Sequence, residues 1–320
     1  MGQNHAVEPL TIFHARFNRS PMNTDGTKLS IILPAYNEED AIFDVVFGLR
    51  RAFPQAEVLV VDDCSTDRTA EMARRGGARV ISHKYNMGNG AAIKTGARHA
   101  QGATLVFMDA DGQHDPDDIK RLLEKLDEGY DMVIGARDMG GQAGKRRMLG
   151  NFLLNSLASL LTGRRIQDLT SGFRAARAEI FRQFLYLLPN GFSYPTTSTM
   201  AFLRSGYAVG FVPITVRPRK GKSKIRLIRD GIRFLVIIMR ITTLFSPMRV
   251  FFPVSMLFFL LGAVRYVWFY LQTGAFSNMA GVLFITAILV FLIGLISEQI
   301  TALHYNLSRI SCDAQPNEQK

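Results

Sequence analysis

Residues 29–63 read LSIILPAYNEEDAIFDVVFGLRRAFPQAEVLVVDD. The two ends, 29–35 and 57–63, are apolar, β-prone runs. The stretch between them, 39–52, spaces its apolar residues as a helix does, so the segment predicts strand, helix, strand. Similar runs follow at 78–83 (ARVISH), 104–111 (TLVFMDAD) and 131–137 (DMVIGAR), with helices predicted over 67–75, 91–100 and 116–128. Asp115 before Pro116 reads as an N-cap with proline at the first helical position. This alternation, from Lys28 to about Pro218, predicts an α/β domain with a largely parallel sheet.

Of the 320 residues, 48% are hydrophobic and 20% charged, which excludes a disordered or fibrous chain. Cys64 and Cys312 stand far apart without CxxC spacing, which argues against a disulfide framework and a structural zinc site and makes a reducing compartment the expectation. The N-terminal residues lack a continuous apolar run ahead of a cleavage site, so no secretory signal is read. The net charge of +11 calls for an anionic partner. Ten Lys or Arg against one acid, Asp230, lie between Arg217 and Arg249, so the charge is a patch. Within it Arg226, Arg229, Arg233 and Arg240 recur at steps of three, four and seven, opposite Ile225, Ile228, Ile232, Leu235, Val236 and Met239. That pattern predicts an interfacial amphipathic helix over 225–249 facing anionic headgroups.

Beyond the patch, 251–271 contains one charge and 280–297 none. Each is about as long as a bilayer core requires, and the short connector predicts a transmembrane hairpin over 250–310. The basic flank puts its outer ends, and the α/β domain, at the cytoplasmic face of an inner membrane. The alternative is a pair of buried core helices. Arg265 is expected to snorkel outward and Glu298 to sit near the cytoplasmic end, too far apart to pair. Residues 1–27 and 311–320 read as polar tails.

In an open α/β sheet, ligands gather outside the carboxyl ends of the strands, and here those ends carry PAYNEE, DDCSTD and DADGQH. A strand would place Asp109 and Asp111 on one face, converging for a hard cation such as Mg²⁺ or Mn²⁺, with the Gln113 amide oxygen as a third ligand. The alternative is an ordinary capped turn. His114 reads as a helix-start or surface residue. The loop at Gly88, Asn89 and Gly90 fails as a dinucleotide fingerprint and as a P-loop because Ile93 replaces the required small residue. Its backbone N–H groups can still approach phosphates or a sugar.

Pro34-Ala35-Tyr36-Asn37-Glu38, Asp62-Asp63-Cys64-Ser65-Thr66-Asp67, Asn86-Met87-Gly88, Asp109-Ala110-Asp111-Gly112-Gln113 and Thr170-Ser171-Gly172-Phe173-Arg174 occur in the order found in family-2 glycosyltransferases of the GT-A fold. Taken with the paired C-terminal spans, the chain resembles the polyprenyl-phosphate sugar transferase branch, and the resemblance, which covers residues 28–224, implies a Rossmann-like GT-A domain there with a mostly parallel sheet. The resemblance implies a nucleotide-sugar donor held by Pro34, Tyr36, Glu38, Gly88, Asp109 and one of Asp62 or Asp63, with its diphosphate on a cation at Asp109, Asp111 and Gln113. It implies a lipid-phosphate acceptor near Arg137, Arg147, Asn151, Ser171 and Arg174. The family has serine where Asn151 stands. Gly221-Lys222-Ser223-Lys224 resembles the branch's GxSK element, which adds Lys222 and Lys224 to the acceptor side.

A lipid phosphate would then displace the nucleoside diphosphate with inversion, and Asp168 would be an auxiliary group. The DADGQH variant favours a uridine donor over a guanosine one. The expected partners are donor, polyprenyl phosphate and membrane, with no nucleic acid; a homo-oligomer is compatible with this. The rivals are a processive polysaccharide synthase, disfavoured because QxxRW is missing, and a non-catalytic membrane-anchored binding protein, disfavoured by the acidic strand ends.

Overall fold

The computed structural model describes residues 29–137, 145–191, 193–216, 236, 238–244 and 246–313, the side chains at 145–151, 153, 302 and 304–313 excepted. Seven strands, β1 (Leu29–Ala35), β2 (Glu57–Asp62), β3 (Arg79–Ser82), β4 (Thr104–Phe107), β5 (Met132–Arg137), β6 (Arg174–Arg177) and β7 (Val209–Ile214), form one sheet in the order β3-β2-β1-β4-β6-β5-β7. All pairings are parallel except those of β6, which runs antiparallel to β4 and β5. The α/β expectation is met.

Alternate residues of the central strands feed two cores, since successive side chains point to opposite faces. Ile31 and Leu33 pack with Ile42, Val46 and Leu49 of α1 (Glu39–Ala52), Ala73 of α2 (Thr69–Arg75) and Ile119 and Leu122 of α4 (Pro116–Asp127). Ile32 packs on the other face with Ala92 and Ile93 of α3 (Asn89–His99), Phe181 of α6 (Ala178–Gln183) and Phe202 of α7 (Tyr194–Arg204). The result is three layers, with both faces of the sheet covered. Asp115 caps α4 as expected, its carboxylate accepting from Asp117 N at 3.0 Å.

One expectation is corrected at β4. The strand ends at Phe107, so Asp109 and Asp111 sit on the turn that follows rather than on a strand face. They still flank the buried Ala110.

A third, smaller core joins Ala158 and Leu161 of α5 (Lys145–Thr162) to Leu169, Met200, Ile238 and Ile241. Residues 238–244 are helical. Ile238 and Ile241, within the segment expected to lie on a lipid surface, are therefore buried against the α/β domain, whereas Val236 is 58% exposed. The stretch 217–235, which includes Lys222, Lys224 and most of the basic stripe, lies outside the described residues.

The chain closes with α8 (Met248–Thr273) and α9 (Asn278–Asp313), two antiparallel helices. Gly274 turns between them at φ 66°, its N–H bonded to Tyr270 O at 2.8 Å. Small residues admit the partner helix: Gly262 faces Phe284, Gly294 faces Phe251 and Met248, and Ser255 Oγ donates to Ala287 O at 2.9 Å. Both helices are long and apolar enough to cross a bilayer. Their outer faces are open, with Val264 69% and Ile296 63% exposed, so the alternative of buried core helices fails.

Candidate active site

The strand ends expected to carry chemistry meet on one sheet edge. β2, β1 and β4 are neighbours and parallel, which sets the loops after them side by side; the antiparallel β6 brings the 170–173 loop to the same edge, and parallel β5 delivers Arg137.

The first two loops are stapled together. Asn37 and Cys64 take left-handed backbone conformations, φ 55° and 63°. Asn37 N donates to Ser65 Oγ at 3.0 Å, Thr66 N to Asn37 Oδ1 at 2.9 Å, and Glu38 N to Thr69 Oγ1 at 2.9 Å. Two non-glycine residues at positive φ are a cost of about 1–3 kcal/mol each, which the cross-loop bonds offset. Tyr36 and Glu38 are thereby held at the mouth of the site.

Asp62 and Asp63, which the sequence left as alternatives, separate here. Asp62 caps the turn by accepting from Ser65 N at 3.1 Å. Asp63, 4% exposed, accepts from Met87 N at 2.8 Å, Gly88 N at 2.7 Å and His83 Nδ1 at 2.7 Å. With Nδ1–H donating to the carboxylate, His83 Nε2 takes the Thr95 hydroxyl at 2.9 Å. Asp63 therefore anchors the 86–88 loop, while Asp62, 5% exposed, holds the turn after β2. His83 had no signal in sequence, because its partners lie 20 and 12 residues away.

Gly88 is corrected for the same reason. Its N–H is spent on Asp63, Gly90 N donates to Gly191 O and Ala91 N to Asn190 O. The Gly90 and Ala91 amides at the start of α3 thus bind protein carbonyls and are not offered to a phosphate. Glycine is required at φ 97°, and a Cβ there would lie 2.5 Å from Asn190 O.

The turn after β4 carries Asp109, Asp111 and Gln113, all half-buried, and bends at Gly112, φ 72°. Asp111 Oδ1 accepts from Gln113 N at 3.2 Å. Among the described residues no three His, Cys, Asp or Glu side chains are gathered for a cation. Two carboxylates and an amide oxygen still fit a hard dication, which commonly completes its shell with water and substrate phosphates. His114 stacks on Phe173, ring centroids 4.6 Å apart, and burial pushes its pKa down to about 4 despite the nearby Asp111, so it is a neutral ring packed at the start of α4.

Opposite this turn, Arg137 and Asp168 form a two-pronged ion pair, Nε to Oδ2 at 2.8 Å and Nη2 to Oδ1 at 3.1 Å, with Nη2 also on Thr170 Oγ1 at 2.7 Å. Asp168 accepts further from Thr170 N and Ser171 N. Burial alone would raise its carboxyl pKa, but the Arg137 guanidinium and these N–H groups outweigh burial and hold it below the ordinary 3.8. A carboxylate so held is a poor base. The folded pKa is depressed, so the pair stabilises the protein above about pH 4 and is lost as pH falls through the folded value. Asp168→Asn is expected to lower the unfolding temperature at pH 7 and to flatten its decline below pH 4; an unchanged acid limb in thermal scans would contradict the pairing.

Asn155 of α5 props this arrangement. Its Nδ2 donates to Gln167 O at 2.9 Å and its Oδ1 accepts from Leu169 N at 3.1 Å, bracketing Asp168.

Arg174 and Ser171 do not fit the acceptor role. Arg174 is 0% exposed and donates to Pro195 O, Ser198 Oγ, Thr199 Oγ1 and Ser171 O, and burial pushes its pKa down to about 10. Ser171 is 1% exposed. Both are buried beneath the site, Arg174 on β6 and Ser171 in the loop ahead of it. Gly172 stays small for a reason: a Cβ would sit 3.3 Å from Tyr194 Oη and 3.5 Å from Asp109 Oδ2. Arg147 and Asn151 lie on α5, but their side chains fall outside the described residues, as do Lys222 and Lys224.

Known proteins resemble this chain in sequence and fold. Residues 30–185 match the model of glycosyl transferase family 2, and residues 246–303 match that of the GtrB C-terminal hairpin. Glycosyltransferase AglJ of Haloferax volcanii is 34% identical over 291 residues, 86% of this chain and 94% of that protein. The dolichyl-phosphate hexose transferase of the same organism is 34% identical over 200 residues, 62% of this chain and 86% of that protein. Among solved structures, glucosyl-3-phosphoglycerate synthase from Mycobacterium tuberculosis with Mn²⁺, uridine diphosphate and glucosyl-3-phosphoglycerate superposes with a TM-score of 0.57 at 25% identity, covering 68% of this chain and 80% of that one. The GT-A expectation is met.

Proposed function

We propose, for a chain that belongs to glycosyl transferase family 2 and ends in a GtrB C-terminal hairpin, that it moves a hexose from a uridine diphosphate sugar to a polyprenyl phosphate at the cytoplasmic face of the membrane. One observation carries the reading: Asp62, Asp109, Asp111 and the Arg137–Asp168 pair share a single sheet edge in a chain that also bears an apolar hairpin. The dolichyl-phosphate hexose transferase supports the acceptor class and the complex with uridine diphosphate and Mn²⁺ supports the donor.

In this reading Pro34, Tyr36, Glu38 and Asp62 receive the nucleoside, where carboxylates accept from base and ribose donors. Asp109, Asp111 and Gln113 hold Mg²⁺ or Mn²⁺. A dication there supplies neutralisation of the charge that develops on the departing nucleoside diphosphate.

The nucleophile is a lipid phosphate oxygen. With a second pKa near ~6 it is largely dianionic at neutral pH and needs no general base. That suits Asp168, whose carboxylate is committed to Arg137; the pair orients the acceptor side and does not move a proton. Arg137, with Arg147, Asn151, Lys222 and Lys224, lowers the cost of bringing a dianion beside a diphosphate. Attack from the face opposite the leaving group inverts the anomeric carbon.

Purified full-length protein with Mn²⁺, a panel of uridine and guanosine diphosphate sugars and a short polyprenyl phosphate tests this. A sugar phospholipid is expected from a uridine diphosphate hexose and none after chelation. Product from guanosine donors alone overturns the donor assignment, and no product from any donor overturns the reaction.

A further inference from the structure

Among the described residues, the root of the hairpin is bonded to the end of α5, which leads back to the site. Arg249, one residue into α8, donates from Nη1 to Leu161 O at 2.8 Å, and Arg204 at the end of α7 donates to the same carbonyl at 3.3 Å. Leu161 is in the last turn of α5, where carbonyls have no partner within the helix and carry the negative end of its dipole. Two guanidinium groups on that carbonyl are therefore charge-assisted bonds at a favourable place.

The root is itself braced. Glu298 of α9 accepts from Met248 N at 3.3 Å, capping α8 from the neighbouring helix, and Thr301 Oγ1 donates to Leu244 O at 3.3 Å. Ile238 and Ile241 fill the small core with Ala158 and Leu161. Any tilt of the hairpin is thus transmitted to the end of α5.

From there α5 runs in two directions. Ser159 Oγ bonds Asn155 O and receives Ile166 N, and Asn155 brackets the loop holding Asp168, which pairs with Arg137. Toward its start, about 21 Å away at 1.5 Å per residue, the same helix carries Arg147.

We infer that Arg249 is a positioning residue: it fixes the angle between the membrane hairpin and α5, so that the acceptor side of the site meets a phosphate seated in the bilayer. This rests on the reaction proposed above. Its signature is selective. Arg249→Ala in lipid nanodiscs is expected to lower turnover on a long-chain polyprenyl phosphate about tenfold, the scale of one charge-assisted hydrogen bond, with turnover on a short, water-dispersible isoprenyl phosphate unchanged. Arg249→Lys, which keeps a cationic donor, recovers most of the loss. Equal loss on both acceptors, or no loss on either, overturns the inference.

A second readout is independent of the reaction. Spin labels at the exposed positions 186 and 273, in a cysteine-free background, should give a narrow distance distribution in the parent and a broad one in Arg249→Ala. An unchanged distribution overturns the inference whatever the kinetics. If the parent protein transfers sugar to neither acceptor, the proposed reaction falls while the distance measurement still decides whether Arg249 sets the angle.

Discussion

Asp111→Asn is expected to reduce sugar transfer by at least about 10³-fold while leaving thermal unfolding within a degree or two of the parent, because the change removes charge and little else. An asparagine keeps the oxygen that accepts from Gln113 N, so the turn after β4 retains its internal bond. It also keeps the volume of a half-buried side chain, so no cavity opens. One of the two carboxylates offered to a hard cation is lost, and the remaining Asp109 and Gln113 oxygens make a weaker, less charged set. The departing diphosphate would then be poorly neutralised, whereas donor binding through Tyr36, Glu38 and Asp62 would persist. Radiolabelled donor turnover, paired with Mn²⁺ binding followed by electron paramagnetic resonance, separates the effects. Near-normal turnover with normal Mn²⁺ binding would remove the cation from the mechanism.

The second large effect is on stability. Gly90→Ala would drive a Cβ into the Pro189 carbonyl oxygen and to 2.7 Å from Gly191 O, where the obstructing atoms are backbone and cannot rotate away. Relief requires separating α3 from the 189–191 loop, which breaks the bonds from Gly90 N and Ala91 N. The cost should exceed about 3 kcal/mol, the upper range for overpacking with lost buried hydrogen bonds. Gly191→Ala is the matched control, since a Cβ there meets nothing within 4 Å. Thermal scans of the two variants, side by side, should show a large drop for the first and almost none for the second. Equal midpoints would mean that the α3 terminus does not rest on that loop, and it would reopen this terminus as a phosphate site.

How much was legible beforehand follows the range of the interaction involved. Strands 29–35 and 57–63, the α4 cap at Asp115 and the two apolar spans were readable because periodicity, capping chemistry and hydrophobic length are properties of neighbouring residues. β6 was not. Arg174-Ala175-Ala176-Arg177 has no apolar alternation, and it is a strand only because β4 and β5 bind it on both sides. Arg174 illustrates the same limit at the site. An arginine after a serine-glycine turn invites a phosphate, yet the pairing of Arg174 with Phe107 carries it into the interior.

The amino-acid order alone determined the α/β class, the acidic strand ends and a chain finishing in an apolar hairpin, since each is written in contiguous residues. Only the tertiary structure decided which carboxylates are tied into the scaffold. Asp63 is committed by amides 24 and 25 residues away and Asp168 by a guanidinium 31 residues away, and such partners become neighbours only when the sheet stacks its strand ends on one edge.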